Sequence, residues 1–153
     1  MPSLDDIPIH VESPAQPGTD FGNALPILNE IRHALARLDD TGEPSQIDLA
    51  AIPFGPGDEA RLLELLGRGE VEATVDALGP TQVWETRFSG VWVVDYANAD
   101  AQRVALQIEV DVVPQILRTQ RADIADAIKA LDERLADAAS GAASNSTFGT
   151  SEH

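Results

Sequence analysis

The chain of 153 residues has no cysteine, a single lysine and few aromatics, which make up 5% of it. Without cysteine, disulfides, thiolate metal sites and thiol redox chemistry are excluded. With so few aromatics, the core must come mostly from Leu, Val, Ile and Ala. Basic residues are scarce as well: 10 against 26 acidic, for a net charge of −16, with Lys129 the only lysine. That field repels phosphate backbones and anionic lipid heads, so neither nucleic acid nor a membrane surface is an expected partner. A basic segment of another protein fits better, although plain solubility is the simpler account of such charge. No apolar run approaches the roughly 18 residues of a membrane span. The start, MPSLDDIPIHVESP, is acidic and Pro-rich, unlike a signal peptide. A cytoplasmic location is expected.

The usual catalytic constellations are missing too. His10, His33 and His153 lie far apart in the chain, with no metal-ligand spacing among them. No serine has the setting of a nucleophile elbow, and the glycines at 55, 57, 67 and 69 match neither a dinucleotide fingerprint nor a phosphate loop. Glu70, Glu72, Glu85 and Glu109 are the one set of carboxylates that could pair for acid–base work, which requires burial or crowding to separate their proton affinities. An exposed acidic sheet face is the simpler account of them. No catalytic residue, metal or cofactor is therefore expected, and the chain is read as a non-enzyme.

Residues 1–20 carry four prolines and read as an extended arm, in which Ile7, Ile9 and Val11 alternate and could add an edge strand. From Asn23 to Leu38 the apolar residues Ile27, Ile31, Ala34, Leu35 and Leu38 recur at helical steps, with Asn23 as the cap. Residues 39–57 read as a loop with one apolar clip, Ile47 to Phe54. Asp58 to Leu66 forms a second helix, capped by Asp58 and stopped at Gly67 or Gly69. The period then switches to two: Glu70–Ala77, Gln82–Phe88, Val91–Tyr96 and Val104–Val112 read as strands. Short connections make them antiparallel neighbours. Pro114 ends the last strand, and a helix over 116–138 places Leu117, Ile124, Ile128, Leu131 and Leu135 on one stripe. Residues 139–153, rich in Ser, Gly, Ala and Asn, read as a flexible tail. The expected fold class is α+β: a four-stranded antiparallel meander with helices before and after it, packed on one face. The expected domain runs over 21–138.

Within the strands, Glu85-Thr86-Arg87-Phe88-Ser89-Gly90-Val91-Trp92 stands out. Ser89-Gly90 allows a turn or bulge, and Trp92 can sit across from an aromatic of the preceding strand. Trp84, Phe88 and Trp92 serve the core, or else one of them stays open as an anchor for a partner, with Glu85 and Arg87 orienting it.

Together with Gly69-Glu70-Val71, the Asp76-Ala77-Leu78-Gly79-Pro80 turn and Ile108-Glu109-Val110, that string resembles the conserved region of the HupH/HyaF hydrogenase expression proteins. The resemblance covers about residues 60–125. It implies an accessory, chaperone-like protein in the maturation of an uptake [NiFe] hydrogenase, acting on the iron–sulfur small-subunit precursor before export, alongside a thioredoxin-like partner. It implies no catalysis and no bound cofactor. A scaffold bridging maturation proteins is the alternative, and a carboxylate-dependent enzyme a more distant one. Family motif positions and exposed chemistry together nominate Glu70, Glu85, Arg87, Phe88, Trp92 and Glu109 for partner binding. Many relatives are longer and carry the module twice, so a homodimer would restore the paired arrangement, through its strands or its last helix.

Overall fold

A computed structural model describes residues 22–145. The predicted arm and the end of the predicted tail lie outside them. The chain divides after Pro114 into two compact units.

The first unit is built on a five-stranded antiparallel sheet in the order β1-β5-β4-β3-β2. Its strands are β1 (Ser45–Asp48), β2 (Glu72–Asp76), β3 (Pro80–Glu85), β4 (Val91–Ala97) and β5 (Arg103–Val110). Four of these are the expected meander. The fifth corrects the expectation of four: β1 lies in the stretch read as a loop and pairs with β5, Ser45 opposite Val110 and Asp48 opposite Gln107. Only Ile47 of its four residues is buried, which leaves no alternation for a sequence pattern to detect.

Helices α1 (Ala24–Thr41) and α2 (Asp58–Leu66) cover one sheet face. Ile27, Ile31 and Ala34 of α1 and Leu62 and Leu66 of α2 are buried with Trp84, Val91, Val93, Leu106, Ile108 and Val110. These sheet residues sit in rows across the strands: Ile47, Ile108, Val93 and Trp84 form one. The helix starts are tied together rather than capped one by one. Asn23 gives α1 no side-chain cap; its amide donates instead to the Pro53 carbonyl and to Asp58 Oδ2, which also accepts the Gly55 N–H at 2.8 Å. Gly67 stops α2 as expected, its N–H donating to the Leu63 carbonyl.

On the opposite sheet face Val83 and Val94 are buried at 1% and 0% exposure. The row Gln46, Glu109, Trp92, Glu85 crosses this face, with Glu109 Oε1 accepting from the Gln46 amide at 3.1 Å. Tyr96 carries a pKa raised above its ordinary 10.0, by burial first and by the charge of Glu109 second.

The second unit holds a single 3-10 turn over Gln115–Leu117 and the helix α3 (Arg121–Asn145). Two expectations change here. The helix starts five residues later than a start at Ile116 and continues through Ser140 and Gly141, so the first part of the predicted tail is helical. Its stripe is not buried: Ile124, Ile128, Leu131 and Leu135 are 50–60% exposed, and no described side chain of α3 is buried.

Candidate functional site: an apolar groove closed by a fixed turn

The Glu85 to Trp92 string folds into the connection between β3 and β4, and nearly every member has a bond that shapes it. The Thr86 N–H donates to the Val91 carbonyl at 2.8 Å, and the Val91 N–H to the Phe88 carbonyl at 3.0 Å. Thr86 Oγ1 accepts the Phe88 N–H at 3.1 Å, and Glu85 Oε1 accepts the Gly90 N–H at 3.1 Å. Gly90 has φ +84°, a left-handed conformation that a side chain would strain. From the next strand's end, the Asp111 N–H donates to the Gly90 carbonyl, and the Asp111 carbonyl accepts the Trp92 indole N–H at 3.1 Å.

The turn is also held from the α2 side. The Arg87 N–H donates to the Leu66 carbonyl at 3.0 Å, and the Gly69 N–H to the Glu85 carbonyl at 2.7 Å. A Cβ on Gly69 would stand 2.6 Å from the Thr86 carbonyl oxygen, so this approach of backbone to backbone needs glycine. Arg68 lies over the Trp84 ring, 4.1 Å from its centroid.

Phe88 on the turn is 49% exposed. It closes a groove of about 330 Å³ lined by Leu28, Ile31, Arg32 and Leu35 of α1, Leu66 of α2 and Phe88 itself. A concave, apolar wall with an exposed aromatic at its lip suits an apolar side chain or a short apolar segment. Arg32 and Arg87 are both exposed, and neither forms an ion pair among the described residues. Arg32, which lines the groove, stands available to a carboxylate or a backbone carbonyl of whatever enters.

The structure therefore sorts the nominated residues. Phe88 and Arg87 are exposed on the turn, and Phe88 lines the groove. Glu85 is half-buried and spent on Gly90. Trp92 is 6% exposed, so its open face is corrected: it is a buried anchor of the turn. Glu109, 2% exposed, accepts from the Gln46 amide on the far face. Glu70 is exposed just before β2, between Gly69 and Val71, whose N–H and carbonyl both bond the Glu85 backbone. Glu72, Glu85 and Glu109 do not converge. Glu85 and Glu109 flank Trp92 two strands apart, roughly 10 Å across the sheet, and Glu72 pairs with Arg68 at 2.8 Å.

Among the described residues no cluster of His, Asp and Glu could hold a metal ion. Of the histidines, His33 is exposed on α1, and His10 and His153 lie outside the described residues. A second hollow is lined by Pro80, Gln82, Asp95, Ala97, Ala101 and Arg103. Its arginine is committed to Asp95 at 2.9 Å and Glu59 at 2.8 Å, contacts that together hold the guanidinium's pKa above its usual range. Sequence reasoning missed Leu28 and Arg32. Their signal was an apolar stripe on α1 wider than its buried residues need, with Leu28 and Leu35 only partly buried beside it.

The turn and groove lie within residues 21–138, which match the model of the HupH hydrogenase expression protein, C-terminal conserved region. The chain belongs to this family. It is 31% identical over 113 residues to the hydrogenase expression/formation protein HoxQ of Azotobacter vinelandii, covering 72% of this chain and 40% of that protein. It is 32% identical over 105 residues to HupH of Rhizobium leguminosarum bv. viciae, covering 68% of this chain and 37% of the relative. The chain thus spans about 40% of the length of these curated relatives. A solved structure, the hydrogenase expression protein HupH from Thiobacillus denitrificans, superposes with a TM-score of 0.73 at 46% identity, over 76% of this chain and 97% of that one. The HupH-family α+β fold is shown, and no helix among the described residues is long and apolar enough to cross a membrane.

Proposed function

We propose that this chain serves [NiFe]-hydrogenase maturation as a non-catalytic holding protein, receiving an apolar segment of the iron–sulfur small-subunit precursor before export. The observation that carries this reading is the groove under Phe88. An exposed aromatic on a turn fixed by Glu85, Thr86, Gly90 and Trp92 forms the lip of an apolar wall on α1 and α2. The names of the relatives, hydrogenase expression/formation proteins, supply the pathway. Charge favours the same client: a chain of net −16 attracts the basic end of an export signal, while the apolar part of that signal suits the groove. Holding a client before export places the step in the cytoplasm, and a thioredoxin-like accessory protein is a candidate co-worker there. An acid–base enzyme gains no support, because Glu85, Glu72 and Glu109 are each engaged by Gly90, Arg68 and Gln46.

The test is the affinity of the full chain for purified small-subunit precursor, with and without its signal segment. Phe88→Ala should weaken capture of the signal-bearing form by about tenfold or more, since a buried aromatic anchor is worth about 2 kcal/mol, and raised salt should weaken it further. Capture of neither form by the wild-type chain, with co-purification of other maturation proteins, would replace this reading by a bridging scaffold.

A further inference from the structure

We infer that the groove under Phe88 selects a segment of a partner chain that carries a carboxylate beside its apolar side chains, the carboxylate being taken by Arg32. This rests on the reading of the groove as the client site, and names what the held segment brings to it. All the lining residues lie in α1, α2 and the β3–β4 turn, within the first unit. Ile31 and Leu66, 3% and 1% exposed, form the floor, while Leu28 and Leu35 are half-buried and Phe88 is more open. Arg32 is the one charged residue among this lining.

The arginines of the first unit show what is unusual about it. Four are committed: Arg37 to Ser45 Oγ at 3.1 Å, Arg61 to Glu64 at 3.2 Å, Arg68 to Glu72 at 2.8 Å and Arg103 to Asp95 at 2.9 Å. Arg32 and Arg87 are the other two, exposed and without an ion pair among the described residues. In a chain with 26 acidic residues against 10 basic ones, an arginine without a carboxylate is the exception, and both exceptions border the groove. Arg32 lines it. Arg87 shares the turn with Phe88, and its side chain crosses Gly67 next to Leu66, where a Cβ would stand 2.6 Å from Arg87 Nε. Local sequence keeps Arg32 free: its neighbours one turn away on α1 are Leu28, Asn29, Leu35 and Ala36, none of them acidic.

A guanidinium offers a planar fork of donors that matches a carboxylate in two parallel bonds. Beside an apolar wall such a bond is stronger than in open water. A purely acidic segment gains nothing from the groove and is repelled by the rest of the chain. A purely apolar one leaves Arg32 unused. The basic end of an export signal is repelled by Arg32 and so lies outside the groove, against the acidic surface.

The experiment is fluorescence anisotropy of labelled synthetic peptides titrated with the full chain. One probe carries adjacent leucines followed by an aspartate, between flanks of Gly and Ser; its match has asparagine in place of the aspartate. The aspartate peptide should bind about tenfold more tightly. Arg32→Gln, at an exposed position, should bring the two peptides within about twofold of each other and leave the asparagine peptide and the circular dichroism unchanged. Phe88→Ala should weaken both peptides. Arg61→Gln removes the same charge outside the groove and should keep the preference. Equal binding of the two peptides, binding of neither, a preference that survives Arg32→Gln, or one that Arg61→Gln also abolishes would overturn the inference. Binding of the small-subunit precursor tells the two readings apart. Capture through Phe88 without an aspartate preference removes only the carboxylate, whereas the preference without capture upholds it and removes the hydrogenase client.

Discussion

Helices α1 and α3 carry the same kind of message in sequence and meet opposite fates. Both place branched apolar residues along one stripe. On α1 that stripe is buried, with Ile27, Ile31 and Ala34 at 7%, 3% and 1% exposure, whereas on α3 it stands half or more in water. The difference lies in what is present to cover it. The stripe of α1 faces a sheet whose rows of Val, Ile and Trp84 present a complementary apolar surface. Amphipathicity states that a face seeks cover; on α1 the sheet of its own unit provides it.

The contrast is open to direct attack. The largest effect is expected at Ile31→Asp, which buries an unpaired carboxylate and should destabilise the first unit by about 4 kcal/mol in urea unfolding. Ile128→Asp at an exposed position on α3 should change stability by less than about 0.5 kcal/mol. Equal losses from the two would erase the distinction between the helices.

A second pair sharpens the comparison inside the motif region, where glycines and carboxylates divide into structural and exposed ones. Gly69→Ala drives a methyl group into the Thr86 carbonyl and should cost about 2–3 kcal/mol, the range for overpacking. Glu85→Ala releases the Gly90 N–H and should cost about 1–2 kcal/mol, while the exposed Glu70→Ala should cost no more than about 0.5 kcal/mol. A Glu70 loss matching that of Glu85 would mean that the family's acidic positions share one role.

The smallest effect concerns pH. Tyr96 titrates above its ordinary 10.0 in the folded chain. A group whose folded pKa is raised contributes stability that is complete below the unfolded value and is lost as pH rises through the folded value. Unfolding midpoints should therefore fall on the alkaline side of pH 10, and Tyr96→Phe should flatten that fall. An unchanged alkaline slope in Tyr96→Phe would assign the loss to other groups.

Much of this architecture was legible beforehand because it repeats. The period of two from Glu72 to Val110 and the helical steps of α1 and α2 each offer several matching residues. Strand β1 offers one, Ile47, and so read as loop. The candidate site was half legible. The Glu85 to Trp92 string was visible as an unusual run, and Phe88 could be nominated from it. Which aromatic would stay outside depended on Asp111 reaching Trp92 and on Leu66 reaching Arg87. Those contacts join residues that no local spacing connects. The groove wall escaped notice for the same reason, since Leu28 and Leu35 gain their meaning only when Phe88 is brought opposite them.

One feature of the sheet bears on how the molecule assembles in time. Strands β2 to β5 join by short turns, so each pairing closes a small loop. Strand β1 alone must reach the far end of the unit's sequence to pair Ser45 with Val110. Loop-closure entropy makes that step the slow and late one. The hairpins can form first as a nucleus onto which the β1 edge is zipped. By the same logic β1 is the strand to open first: its amides should exchange with deuterium sooner than those of β4, long before the whole unit unfolds.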